Sequence, residues 1–294
     1  MIKAILLIIC LITSSLCYSQ SSNPNQQYIK TTYGNVYYKI VGTKSNKPPI
    51  LVIHGGPGGG SCGLDILELL ATDRQVIFYD QLGSGKSPVQ NDDTLWQIDR
   101  YVNELQQIIQ ILNIERPIIF AHSWGAAIAA KYLISHTNDV TAVIFASPYI
   151  DSQLWIDDAN YLMSKLPPNS TLNDFQKSHL QRYPSNPPYD KDMCTGSVWN
   201  DHIYKTMWGT SEFEVNGNLK SLSLYNDLDK INIPSLVLIG QYDQVTISTA
   251  AQYARKLPQG NLIVIPNAAH MSMSDQPVMF IYYVKYFING CCKS

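Results

Sequence analysis

Three residues far apart in the chain, Ser123, Asp243 and His270, have the types and the order needed for nucleophilic catalysis. A serine hydroxyl becomes a nucleophile when a histidine accepts its proton, and an acidic side chain holds that histidine in the correct tautomer. Each of the three residues follows shortly after an apolar run with the composition of a buried strand. One such serine or histidine would be weak evidence, but the ordered set predicts an acyl-transfer site.

The sequence around the serine, AHSWG at residues 121–125, lies between an apolar run and a stretch of small residues. A G-x-S-x-G element between a strand and a helix forms a strained turn that exposes the serine hydroxyl above the strand ends. Ala121 replaces the first glycine, and we expect this smallest alternative to be tolerated.

A second motif, HGGPGGG at residues 54–60, follows the apolar run 50–53. Glycines permit a loop whose backbone N–H groups stay free to stabilise an oxyanion. We predict the N–H groups of Gly56 and Trp124 as the two donors. A phosphate-binding loop is the alternative, but the lysine of a P-loop is missing and no G-x-G-x-x-G opens a helix.

Short apolar runs alternate with helical patterns along most of the chain. Such runs are typical of a parallel sheet covered by helices on both faces, so the predicted fold class is α/β. Residues 94–112 have helical spacing, and Asp92, Asp93 or Thr94 is expected to cap that helix. Residues 148–220 are too long for a simple connection and are predicted to form a partly helical cap. The predicted core strands are 50–53, 75–79, 117–120, 140–145, 236–239 and 262–265, after a hairpin of 28–32 and 36–41.

Three motifs together, HGGPG at 54–58, DQLGSGKS at 80–87 and SWG at 123–125, resemble the proline iminopeptidase group of α/β-hydrolases. That group includes related aminopeptidases and amino-acid amidases, and the resemblance runs from Tyr28 to Phe287. It implies an α/β-hydrolase fold with a mostly parallel central sheet, helices on both faces and an inserted cap. It also implies that Ser123, Asp243 and His270 form the triad and that the 80–87 turn is mainly architectural.

The resemblance also bears on the substrate, because these enzymes bind a free α-amine with acidic side chains. Glu212 lies in WGTSEF, which resembles the element that supplies one such carboxylate, whereas Gln244 replaces a second acid found in some relatives. The expected activity is release of N-terminal residues from short peptides or amino-acid amides, with no metal or organic cofactor. An esterase or lipase using the same triad is the alternative. A non-catalytic binding protein is disfavoured because all three triad residues are present.

The first nineteen residues have the pattern of a secretory signal peptide: a charge at Lys3, an apolar core over 4–12, and small residues before Gln20. The apolar core is shorter than the ~20 residues of a membrane-spanning helix. The sequence therefore predicts a secreted or periplasmic protein with no stable membrane span after signal removal. The predicted organisation is signal peptide 1–19, linker 20–27, hydrolase domain 28–289 and tail 290–294.

The charges nearly cancel, with 21 Lys and Arg against 23 Asp and Glu, and no long basic run is present. This balance argues against nucleic acid or an anionic membrane as a partner.

The cysteines lack metal-ligand spacing, so no metal site is predicted. In an oxidising compartment Cys62 and Cys194 could form a disulfide, but the sequence does not decide the pairing. A small molecule or short peptide is the predicted partner, and the oligomeric state is left open.

Overall fold

The computed structural model describes residues 27–180, 182, 198–210 and 215–291. Within these residues the central feature is one eight-stranded sheet. Its strands are β1 (Tyr28–Lys30), β2 (Asn35–Val41), β3 (Ile50–Ile53), β4 (Val76–Tyr79), β5 (Ile118–His122), β6 (Ala142–Ala146), β7 (Ser235–Gly240) and β8 (Gly260–Ile265). The spatial order is β1-β2-β4-β3-β5-β6-β7-β8. β2 is antiparallel to both of its neighbours, and every other neighbouring pair is parallel.

The central strands β3 to β7 are apolar because the sheet is covered on both faces there. Leu51 and Ile53 face one buried cluster, while Ile50 and Val52 face the other. The α-helices are α1 (Ile98–Ile111), α2 (Trp124–His136), α3 (Ser152–Lys165), α4 (Leu172–Phe175), α5 (Asp201–Met207), α6 (Ile247–Lys256), α7 (Ser272–Asp275) and α8 (Pro277–Cys291). Helices α1, α2 and α6 contribute to the first cluster and α8 to the second. The predicted parallel sheet with helices on both faces is confirmed.

The start of α1 corrects the predicted cap. Asp92 does accept a hydrogen bond from the Thr94 N–H, but it caps a separate 3-10 turn, Asp93–Leu95. The α-helix begins only at Ile98 and has no side-chain cap. Between the two, the backbone leaves the helical conformation at Trp96, whose indole is fully buried. Burial of this large side chain interrupts what the sequence pattern indicated as one helix.

The chain between β6 and β7, where the sequence predicts a cap, contains helices α3, α4 and α5 and a π-turn at Gln176–Leu180. Asp151 at the start of α3 forms an isolated bridge with Ser223. None of the helices in the described ranges is long and apolar enough to cross a membrane.

Candidate active site

Ser123 lies on a strained turn between β5 and α2, with φ 52° and ψ −121°. The neighbouring backbone packs too closely for larger residues. A Cβ at Gly55 would lie 2.9 Å from the Ser123 Cβ, and one at Gly125 would lie 2.5 Å from the Ile53 carbonyl oxygen. Glycine at both positions therefore lets the turn form directly above β3. Ala121, which replaces the first glycine of the motif, is fully buried within β5.

The loops after β7 and β8 bring Asp243 and His270 together. His270 Nδ1 lies 2.9 Å from Asp243 Oδ1. Because a carboxylate only accepts hydrogen bonds at neutral pH, Nδ1 carries the proton and Nε2 keeps a lone pair for proton transfer. The carboxylate also accepts from the backbone N–H groups of Val245 (3.1 Å) and Gly240 (3.3 Å).

A further residue, Ser147, contacts this pair and was missed in the sequence. Its hydroxyl donates to Asp243 Oδ2 at 2.6 Å and lies 2.9 Å from the His270 carbonyl oxygen. Ser147 is fully buried, and its φ of 48° lies in the left-handed region. The signal that could have found it is its place directly after β6, the same kind of strand-end position that singled out the other three residues.

Two more histidines adjoin His270. His122 Nε2 lies 3.3 Å from the His270 carbonyl oxygen, and burial lowers the pKa of His122 to about 3. His122 is therefore neutral at neutral pH and donates to that carbonyl. The backbone carbonyl of His179 accepts a hydrogen bond from the His270 N–H at 3.0 Å. The His179 ring contacts the Tyr242 carbonyl oxygen at 2.9 Å. Nothing in the sequence singled out His179.

The two predicted oxyanion donors flank the serine. Gly56 lines the same cavity as Ser123, and Trp124 is the first residue of α2. Across the described ranges, neither N–H donates to another protein group. A helix leaves its first N–H groups free and its N-terminus favours negative charge, so the Trp124 N–H is available for an oxyanion.

The cavity that contains Ser123 and His270 has a volume of about 360 Å³. One wall is aromatic and consists of Trp155, Trp199, Tyr204 and Trp208. The Trp155 ring packs edge-on against His270, with ring centroids 5.8 Å apart. A cavity of this size can hold a small substrate.

Several sequence predictions fall partly or wholly outside the described residues, among them the signal peptide 1–19 and Glu212. Cys62 lines the cavity and is disulfide-bonded, whereas Cys194, with which the sequence allows a pairing, lies outside the described ranges. In the described portion of the chain, no group of three or more His, Cys, Asp or Glu side chains could hold a metal ion.

Comparison with known proteins gives four similarities. A family model described as the alpha/beta hydrolase fold matches residues 48–277. A proline iminopeptidase from Heyndrickxia coagulans is 36% identical over 283 residues, covering 90% of this chain and 98% of the relative. A crystal structure of proline iminopeptidase from Mycobacterium smegmatis superimposes with a TM-score of 0.81 at 23% identity, covering 90% and 98% of the two chains. An esterase from Thermogutta terrifontis has a TM-score of 0.68 at 17% identity, covering 91% and 99%.

Proposed function

The chain belongs to the α/β-hydrolase family, in the group of proline iminopeptidases and their relatives, and from that premise we propose that it is a serine aminopeptidase. Its reaction is release of N-terminal residues from short peptides or amino-acid amides. The observation that carries the proposal is that the strained Ser123 and the Asp243-bound His270 meet in one small cavity.

The proposed chemistry is acyl transfer in two steps. His270 Nε2 takes the proton of the Ser123 hydroxyl as the oxygen attacks the substrate carbonyl carbon. The N–H groups of Gly56 and Trp124 stabilise the oxyanion, and His270 returns the proton to the leaving amine. Water, activated by the same histidine, then hydrolyses the acyl-enzyme and frees the amino acid.

Recognition of a free α-amine is supported by the character of the cavity wall and by one acidic residue. Trp155, Trp199 and Trp208 line the cavity, and aromatic rings can attract a cation. Glu212, four residues after Trp208, is the carboxylate proposed to pair with the ammonium. A charged hydrogen bond of this kind contributes roughly 1.5–3 kcal/mol.

An activity panel tests this assignment. The wild type should hydrolyse amino-acid amides with a free amine faster than their N-acetylated counterparts and faster than a neutral ester. Glu212→Gln should lower kcat/KM for the free-amine amide about tenfold, from loss of the charged hydrogen bond. The same variant should leave hydrolysis of the neutral ester within about twofold, which makes the ester its control.

A carboxylic ester hydrolase is the second candidate, and the observation that favours it is Gln244. This residue directly follows Asp243, is buried and lines the cavity without a charge. Equal rates on N-acetylated and free-amine substrates would refute the aminopeptidase proposal and leave the esterase in its place.

We also propose that the protein is exported. The support is the sequence pattern of residues 1–19, with Lys3 ahead of the apolar stretch 4–12. N-terminal sequencing of protein secreted by its own host should begin near Gln20. A cytosolic product that retains Met1 would contradict export.

A further inference from the structure

The His54 ring makes two hydrogen bonds that fix its tautomer. Its Nε2 accepts from the backbone N–H of Gln81 at 2.9 Å, and its Nδ1 lies 2.7 Å from the Gly55 carbonyl oxygen. Since a backbone N–H can only donate, Nε2 is unprotonated and the single proton of the neutral ring lies on Nδ1. Burial lowers the pKa of His54 and keeps the ring neutral. The His54 Nδ1–H therefore donates to the Gly55 carbonyl.

This contact determines the direction of the next N–H group. The Gly55–Gly56 peptide is trans, and in a trans peptide the carbonyl and the following N–H point in opposite directions. Glycine on both sides gives this peptide unusual rotational freedom, and Gly56 has a φ of 131°. By holding the Gly55 carbonyl, the His54 ring also fixes the orientation of the Gly56 N–H, which is one of the two proposed oxyanion donors.

The Gln81 side chain links the same loop to the other donor. Its Nε2 donates to the His54 carbonyl oxygen at 2.8 Å, and its Oε1 accepts from the Trp124 indole N–H at 3.0 Å. A carbonyl can only accept and an indole N–H can only donate, so both amide atoms are assigned by their partners. Gln81, His54 and Trp124 are all at most 1% exposed. In such a buried network each bond is costly to lose.

We propose that Gln81 and His54 are positioning residues that align the Gly56 and Trp124 N–H groups before substrate binds. The proposal rests on the proposed acyl-transfer function, in which an oxyanion forms on the substrate. It extends the role of the 80–87 turn beyond architecture, because Gln81 connects the loop after β3 with the first residue of α2.

Two near-isosteric variants test the proposal. Gln81→Met removes both side-chain hydrogen bonds, and His54→Phe removes the donor to the Gly55 carbonyl. Loss of one oxyanion donor lowers kcat by ~10²–10³-fold, so a misaligned donor should lower kcat roughly ten- to hundredfold in each variant. KM should stay within about twofold, because the ground-state carbonyl makes little use of the donors. Binding of phenylboronic acid, which forms a tetrahedral adduct with an active-site serine, should weaken in parallel with kcat.

The matched control is Ser87→Ala, in the same turn. The Ser87 hydroxyl is fully buried and makes two hydrogen bonds, to the Asp80 carbonyl and from the Tyr37 N–H, but none to His54 or Trp124. The Ser87→Ala variant should lower Tm without changing kcat. All rates are measured on whichever substrate of the activity panel the wild type hydrolyses fastest, so a failed aminopeptidase assignment leaves this test intact. A folded Gln81→Met or His54→Phe protein with wild-type kcat, or with a loss confined to KM, would overturn the proposal.

Discussion

The Asp243 carboxylate is almost completely buried and accepts hydrogen bonds from an imidazole, a hydroxyl and two backbone N–H groups. These four donors hold the carboxylate in one orientation beside the His270 ring. Ser147 supplies the shortest of the contacts.

Ser147→Ala should lower kcat about tenfold and leave KM nearly unchanged. The hydroxyl orients the carboxylate that holds His270, and a hydrogen bond to a charged group contributes about 1.5–3 kcal/mol, of which we expect about half to appear in kcat. Steady-state kinetics checks this. Ser152→Ala is the control, because that buried hydroxyl donates to the Leu219 carbonyl, away from Asp243 and His270. Equal kinetic losses in the two variants would refute a specific role for Ser147.

His122 should make the protein less stable in acid. The unfolded chain takes up a proton near the ordinary pKa of 6.5, whereas burial holds the pKa of folded His122 at about 3. The stability from this residue is complete above pH 6.5 and is lost as the pH falls toward 3. Between pH 7 and pH 4 the wild type should lose roughly 3 kcal/mol more unfolding free energy than His122→Gln. Urea unfolding across this range measures it, and parallel curves for the two proteins would contradict it.

At the scale of elements, α3 is tied to the loop that carries Asp243. Asp158 on α3 accepts hydrogen bonds from the N–H and hydroxyl of Thr246, the residue that caps α6, and from the Thr249 hydroxyl. Thr246 lies three residues after Asp243. These hydrogen bonds therefore connect α3, which lies between β6 and β7, with the loop that carries Asp243 of the proposed triad.

Asp158→Ala should lower the free energy of unfolding by roughly 2–3 kcal/mol, because three hydrogen-bond donors lose a buried acceptor. Thr249→Val, which removes only one of the bonds, should cost about 1 kcal/mol. The neighbouring Asp157 is exposed, so Asp157→Ala is the control and should change stability by less than about 0.5 kcal/mol. Denaturant unfolding of the three variants checks this order. An Asp158→Ala protein as stable as the control would show that the hydrogen bonds to Asp158 do not stabilise the fold.

The elements show where sequence patterns suffice. The core strands could be predicted because each is a short apolar run, and β3 to β7 are buried on both faces. The separation of the 3-10 turn Asp93–Leu95 from α1 could not be predicted. Asp92 and Thr94 have the same local sequence pattern whether they cap a 3-10 turn or an α-helix. Packing of the Trp96 indole in the core decides between the two, and that packing involves residues distant in sequence.

At the scale of the whole molecule, the parallel sheet explains why the site could be predicted. Strands β5, β6, β7 and β8 run in the same direction, so the residues that follow them gather at one edge. Ser123, Ser147, Asp243 and His270 all hold such positions. The aromatic wall could not be predicted in the same way, because Trp155 and Trp208 reach the cavity through the tertiary packing of α3 and α5, which no local pattern specifies.

The most direct test of the account is labelling of the folded protein with a fluorophosphonate probe, followed by peptide mass spectrometry. We predict one label, on Ser123, and none on Ser123→Ala. That variant should keep the wild-type Tm while kcat falls by roughly 10⁴-fold or more, as in other serine triads. Labelling at a different residue, or turnover retained by folded Ser123→Ala, would contradict the assignment of Ser123 as the nucleophile.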